Sequence, residues 1–384
     1  MFDRIQKRLQ TQTQKQRSRQ RLILNSPQAI TTRVAHQELI NFSSNDYLGF
    51  AHHPAVTQAL AIGAKRWGAG SGASHLVSGH SQIHEELEQA LAKLTQRPKA
   101  LLFSNGYMAN LAIISTLMEK NDTVLHDRLN HASLLDGTRL AGCRFMRYHH
   151  LDMTHLKQGL SRAHGHRLIV TDGVFSMDGD TAPLQELVQI SRAHHAVLMV
   201  DDAHGLGVLG AQGAGLIEQE QLDVDDVPIL VGTLGKALGT AGAFVAGSEE
   251  LIEYLIQFAR PYIYTTASSP ALAYATLAAV ELLEKEAWRR TRLKDLIKHF
   301  QTTAAELGLR TQASQTPIQP IVIGDNAATV RIAHVLRTQG FLVGAIRPPT
   351  VPEHTARLRI SLCAEHQPEH ITALLHTLSR LQSQ

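Results

Sequence analysis

Short apolar runs alternate with stretches of helical spacing from residue 45 to about residue 246. Six of these runs read as buried strands: Ala100–Phe103, Thr123–His126, Leu168–Thr171, Val197–Val200, Ile229–Val231 and Ala243–Val245. Their alternation with helical patterns predicts an α/β domain built around a mostly parallel sheet. Ahead of it, the stretch from Arg4 to Arg21 is rich in Gln, Lys and Arg and spaces Ile5, Leu9 and later Leu22 as a surface helix does. Glu38–Ser43 reads as a short strand leading into Asn45-Asp46-Tyr47-Leu48-Gly49. Helical periodicity dominates Pro270 to Leu307 and bridges to a smaller domain, with strands near Pro320–Ile323, Phe341–Ile346 and Leu358–Leu362. The expected division is an N-terminal helix and strand segment over 1–44, a large domain over 45–280 and a smaller C-terminal α/β domain over 281–384.

Composition narrows the class without naming a function. A chain of 384 residues with 43% hydrophobic and 18% charged content has ample core for a globular protein. A net charge of +3 is small for this size and implies no nucleic-acid partner. Cys143 and Cys363 are the two cysteines, too few for a disulfide framework, and suit a reducing cytoplasm. No run approaches the ~20 apolar residues of a membrane span, and no signal core opens the chain. The 22 histidines invite a metal site, but His52-His53, His149-His150 and His194-His195 are adjacent pairs whose side chains diverge. His80 and His84 have helical spacing and lack an evident third ligand, so no metal is expected.

The candidate chemistry lies just past the apolar runs. Thr233-Leu234-Gly235-Lys236-Ala237-Leu238-Gly239 sets a lone lysine in a small-residue turn after a buried strand. Val197–Val200 delivers Asp201-Asp202-Ala203-His204 to the same kind of sheet edge, where doubly wound folds bind ligands. A lysine after a glycine is ordinarily a solvated charge. A GxxxxGK[ST] phosphate loop fails too, because Leu230 replaces its first glycine and Ala237 its hydroxyl residue. Together the two segments match what pyridoxal 5'-phosphate requires: an amine to condense with the aldehyde and a carboxylate to keep the pyridine nitrogen protonated. Only one of Asp201 and Asp202 can face such a ring, since successive strand residues point to opposite faces. Ser104-Asn105-Gly106-Tyr107-Met108-Ala109-Asn110 follows a strand and opens a helix, offering free N–H groups to a phosphate, or a simple turn. Asn130-His131-Ala132-Ser133 and Asp172 to Asp180 also follow strand-like runs. Gly68-Ala69-Gly70-Ser71-Gly72-Ala73-Ser74 is glycine-rich without a preceding strand and is no dinucleotide fingerprint.

These motifs resemble the α-oxoamine synthases among the fold-type I pyridoxal phosphate enzymes. Thr233 to Gly242 is similar to the family's lysine signature, and Phe175–Asp180 and Asp201–Gly205 resemble its other core motifs in the expected order. Asn41–Gly49 and Ile346–Pro352 add to a likeness running from about Arg19 to the C-terminus, with departures at Ala73 and His75. The resemblance implies that Lys236 binds the cofactor covalently and removes a proton, that Asp201 pairs with the pyridinium and that His204 bonds the ring oxygen. It implies that His131 stacks on the ring and contacts substrate, and that Gly106, Tyr107, Ser176 and Thr233 bind cofactor oxygens or phosphate. Arg19, Thr350 and Arg359 would contact substrate, while Arg357 is expected on the opposite strand face and dispensable. It further implies a homodimer with its active site at the interface, where Thr265 or Thr266 reaches the partner's phosphate. The implied substrates are L-alanine and a pimeloyl thioester, on coenzyme A or an acyl carrier protein. Glycine or serine with another thioester, an aminotransferase, and a binding protein on the same fold are the rival readings.

Overall fold

All six expected runs become strands of one sheet. A computed structural model describes residues 1–382, with the strands Lys99–Phe103, Thr123–Asp127, Arg167–Asp172, Val197–Asp201, Ile229–Thr233 and Ala243–Gly247. A seventh, Arg144–Tyr148, forms the edge beside Thr123–Asp127. Its pattern is masked by the exposed Arg144, Phe145 and Arg147. A strand with one neighbour and an open face needs no continuous apolar run.

The sheet order from Lys99–Phe103 passes through Ala243–Gly247, Ile229–Thr233, Val197–Asp201, Arg167–Asp172 and Thr123–Asp127 to Arg144–Tyr148. Ala243–Gly247 runs antiparallel to both neighbours; the other strands share one direction. Their carboxyl ends therefore deliver Phe103, Asp127, Asp172, Asp201 and Thr233 to one edge, with Asp172 opposite Asp201 in register. Leu101, Val124, Val170, Met199 and Val231 pack with Ala112, Ile113 and Ile114 of the helix Gly106–Leu117 in the core beneath that edge. The helices Pro54–Trp67 and Pro270–Lys285 approach closely at Gly63, where a Cβ would stand 2.9 Å from Tyr274 Cβ and 3.0 Å from Ala271 Cα. Only glycine allows that approach.

Two compact units divide the chain: residues 50–176 with 180–290, which hold the sheet, and residues 1–49 and 177–179 with the chain from 291 onward. In the second, Gln37–Asn41 pairs antiparallel with Thr31–Val34 and parallel with Phe341–Leu342. A separate sheet sets Ala356–Ser361 between Ile318–Gly324 and Gly344–Ile346. The run expected as one strand over Phe341–Ile346 is thus split between two sheets. The grouping also differs from the 1–44, 45–280 and 281–384 division, because pairing of Gln37–Asn41 with Phe341–Leu342 draws the N-terminal segment to the C-terminal part. Residues 383 and 384 of that last segment lie outside the described residues. The N-terminal helix spans Phe2–Gln14, short of Arg21, and buries none of its residues. No helix among the described residues is long and apolar enough to cross a membrane.

Candidate active site

The lysine turn is built by its neighbours. After Thr233 the chain folds back, with Leu234 N donating to Gly242 O at 2.9 Å, Thr240 N to Leu234 O at 3.0 Å and Gly239 N to Lys236 O at 2.9 Å. Gly239 has φ +67°, and a Cβ there would lie 2.3 Å from Ala51 N and 2.4 Å from Phe50 C. The left-handed backbone and the abutting main chain both require glycine. The turn thereby points Lys236 into a cavity of about 190 Å³ at the sheet's carboxyl edge.

Eight of the residues singled out in the sequence line this cavity: Gly106, Tyr107, His131, Ser176, Asp201, His204, Thr233 and Lys236. Lys236 Nζ is 2.9 Å from His204 Nε2. Asp201 Oδ2 accepts from Asn110 Nδ2 at 2.6 Å and Oδ1 from Ala203 N at 3.1 Å, which holds the carboxylate against the strand end. Asn110 Nδ2 also donates to Ser133 Oγ at 2.9 Å, and Ser133 Oγ lies 2.7 Å from His131 Nδ1. Ser133 N donates to the same Nδ1 at 3.3 Å, so that nitrogen is an acceptor and the imidazole proton sits on Nε2. Burial agrees, holding His131 below its ordinary imidazole value against the opposing pull of Asp201. Burial and the nearby Asp201 keep the Asp172 carboxyl well above the usual carboxylate range, and its Oδ1 accepts from His131 N at 3.2 Å. Tyr107 stands edge-on to His131, ring centroids 6.2 Å apart, and donates its hydroxyl to Asp136.

Asp202 is directed elsewhere. It is fully buried, accepts from Leu216 N at 2.6 Å, and is pushed up to about 8 by burial. A Cβ at Gly173, Gly205 or Gly215 would come within 2.7, 2.1 or 2.0 Å of its carboxylate oxygens. Three glycines therefore wrap a carboxyl that staples loops together.

Sequence reasoning did not assign roles to Asn110, Ser133 or Asp172. Asn110 was within reach, since it stands one helical turn after Gly106 and so shares its face. The Asn110–Ser133 contact joins two helix starts distant in sequence and left no local signal.

In the other unit, Arg19 and Thr350 line a cavity of about 260 Å³ with Arg17 and Arg347. Arg347 Nη1 donates to Gln16 O at 2.9 Å. Arg359 is buried on the strand Ala356–Ser361 and donates to Asn45 Oδ1 and Ser361 Oγ, both at 3.0 Å. The expectation for Arg357 is corrected. Two residues apart on one strand, Arg357 and Arg359 share a face, and Arg357 is buried against Met177 O at 3.1 Å and Asp178 Oδ1 at 2.5 Å. Thr266 pairs its backbone with Ser74.

Comparison with known proteins places this geometry in a class. The pattern of the aminotransferase class I and II family matches residues 37–378. The serine palmitoyltransferase of S. paucimobilis, solved with bound PLP and myriocin, superposes with a TM-score of 0.94 at 29% identity, covering 100% of this chain and 97% of that one. The chain belongs to the aminotransferase class I and II family, and within it to the α-oxoamine synthases, fold-type I acyltransferases that depend on pyridoxal phosphate. It is 59% identical over 366 residues to the 8-amino-7-oxononanoate synthase of Pseudomonas putida KT2440, covering 95% of this chain and 94% of that one. The 8-amino-7-oxononanoate synthase of Francisella tularensis superposes with a TM-score of 0.80 at 34% identity, covering 90% of this chain and 98% of that one. The cavity's donor set fits the cofactor: an amine, a carboxylate backed by Asn110, an imidazole, and helix N-terminal N–H groups at Gly106, where a Cβ would meet nothing within 4 Å.

Proposed function

We propose that the enzyme joins L-alanine to a pimeloyl thioester, releasing carbon dioxide and the free thiol carrier and yielding 8-amino-7-oxononanoate for biotin biosynthesis. The observation that carries this reading is the 59% identity over nearly the whole chain to an enzyme of that name. Bound pyridoxal phosphate supplies an aldehyde that captures an amino group and a protonated ring that draws electrons from the α-carbon. Lys236 is the covalent anchor and the base that takes the α-proton, delivered from a turn that only a glycine at 239 permits. Asp201 keeps the ring nitrogen protonated, and Asn110 keeps Asp201 in place. His204, 2.9 Å from Lys236 Nζ, bonds the ring's phenolic oxygen. His131 covers the ring and presents its Nε2 proton to substrate. Gly106, Tyr107, Ser176 and Thr233 hold cofactor oxygens. Arg359 grips the amino acid's carboxylate with a planar fork of donors, and Arg19 and Thr350 contact substrate.

The active form is a homodimer in which Thr265 or Thr266 reaches the partner's phosphate, and coenzyme A or an acyl carrier protein presents the acyl group. The test offers alanine, glycine and serine to the purified holoenzyme with thioesters of several chain lengths and identifies products by mass. Alanine with pimeloyl thioester should give the highest kcat/KM. Faster turnover of glycine or serine with another thioester would overturn the substrate assignment, and transamination without thiol release would overturn the reaction type.

A further inference from the structure

Outside the active-site cavity, three histidines converge. His75 opens the π-turn His75–Gly79, His84 lies in the first turn of the helix Gln82–Leu94, and His80 stands between them. One ring nitrogen from each lies within 4.8 Å of the other two. Their ring centroids are 5.1, 5.3 and 5.5 Å apart. An ion with tetrahedral Zn–N bonds of about 2.0–2.1 Å would space imidazole centroids by about 5 Å and their nitrogens by about 3.3 Å. His75 Nδ1 and His80 Nδ1 already face each other at 2.8 Å, so two nitrogens share a single proton where an ion could take both lone pairs.

The remaining ring atoms are supported as metal-bound imidazoles usually are. His80 Nε2 faces Glu85 Oε2 at 3.5 Å, His84 Nε2 faces Ser268 O at 2.9 Å, and the His75 ring stacks on Tyr262 with centroids 4.9 Å apart. A cavity of about 310 Å³, lined by His75, His80, Glu85 and Tyr262 among others, gives an entry path and room for a water ligand. Ligation by His84 costs two contacts of its Nδ1 with Ser81, one to the backbone N at 3.1 Å and one to Oγ at 3.0 Å.

We propose that His75, His80 and His84 form a binding site for one divalent ion of the Zn²⁺ class, with water in the fourth position. Nitrogen ligands favour Zn²⁺ over Mg²⁺ or Ca²⁺. The ion braces the glycine-rich segment, because Ser74 pairs with Thr266 and His84 faces Ser268, tying both ends of the site to residues 266–268. A second grouping, His80 with Glu85 and Glu88, serves less well: Glu88 Oε1 is committed to Leu102 N at 2.8 Å, and Glu85 is already placed to orient His80.

The experiment strips the holoenzyme with EDTA and titrates it with Co²⁺, then with Zn²⁺. One Co²⁺ per chain should bind with the ligand-field bands of a four-coordinate site, be displaced by one Zn²⁺, and raise the melting temperature. His75→Ala and His80→Ala should each weaken Zn²⁺ at least about tenfold, and Glu85→Gln by about 10- to 100-fold. Lys236→Ala and Glu88→Gln should leave the affinity unchanged. Absence of stoichiometric binding at micromolar metal, or undiminished binding in the His75→Ala/His80→Ala double variant, overturns the site. So does loss of affinity in Glu88→Gln equal to that in His80→Ala. Retained cofactor absorbance checks folding; if the double variant fails it, His80→Gln decides by the same criterion.

Discussion

Adjacent aspartates in this chain meet opposite surroundings. Asp201 opens onto the cavity with Asn110 and Ala203 as donors, whereas Asp202 is enclosed by glycines and bonded to Leu216 N. A chain of contacts runs from Asp201 through Asn110 and Ser133 to His131 and fixes these two cavity side chains relative to each other. Asn110→Leu should slow exchange of alanine's α-proton by about 10- to 100-fold, the equivalent of losing a hydrogen bond to a charged group. It should also shift the bound cofactor's absorption band, which a purely structural residue would leave in place. Ser133→Ala removes the hydroxyl that contacts both His131 and Asn110 but leaves the bond from Asn110 to Asp201, so its effect should appear in the alanine KM with the cofactor band unmoved. Equal spectra for Asn110→Leu and the parent would remove Asn110 from the role. For Lys236, borohydride reduction followed by peptide mapping should label that residue alone, and Lys236→Ala should retain cofactor only non-covalently with turnover nearly abolished.

At the scale of elements, the site depends on turns held by main-chain contact. Gly239→Ala would force a left-handed residue against the backbone of Phe50 and Ala51. The cost should be about 1–3 kcal/mol, read by denaturant unfolding, with weaker cofactor retention because the lysine turn shifts. His150 supplies a pH test elsewhere in the same unit. Its ring bridges Asp127 Oδ1 at 2.9 Å and Asp180 Oδ2 at 2.8 Å. Burial disfavours its charge, yet the two carboxylates outweigh burial and raise it from 6.5 to about 10. The folded chain therefore keeps this proton over a range where the unfolded chain has lost it. Its stabilisation is complete below pH 6.5 and fades as pH rises toward 10. Compared with His150→Gln, the parent should be more stable by about 1–3 kcal/mol at pH 6, and the gap should narrow steadily in melts run up to pH 10.

The whole molecule is tested by mixing subunits. If Thr266 reaches the cofactor of the partner, Lys236→Ala and Thr266→Val chains are each impaired in their own dimers. A mixed dimer would contain one site with both residues intact. Co-refolding the two inactive variants should then restore activity well above either parent, approaching half the normal turnover per hybrid dimer. No gain on mixing, with hybrid formation shown by native mass spectrometry, would place Thr266 in its own subunit's site or outside any site.

Much of the fold was readable along the chain because a strand buried on both faces needs an uninterrupted apolar run, and those six runs carry their own signal. Lys236, Asp201 and His204 were readable for a related reason: they stand directly after such runs, at the edge where a parallel sheet collects its loops. The edge strand Arg144–Tyr148 was hidden by its polar composition, and the break of Phe341–Ile346 into two sheets depends on partners far away in sequence. The same holds for the function-bearing contacts. That only one of Asp201 and Asp202 meets the cavity was readable from alternation, and the family resemblance named Asp201. The tether of Asp201 to Asn110, the tautomer of His131 and the meeting of His75 with His80 and His84 were decided by tertiary structure. Each depends on side chains that reach one another across elements, and local sequence carries no record of such distances.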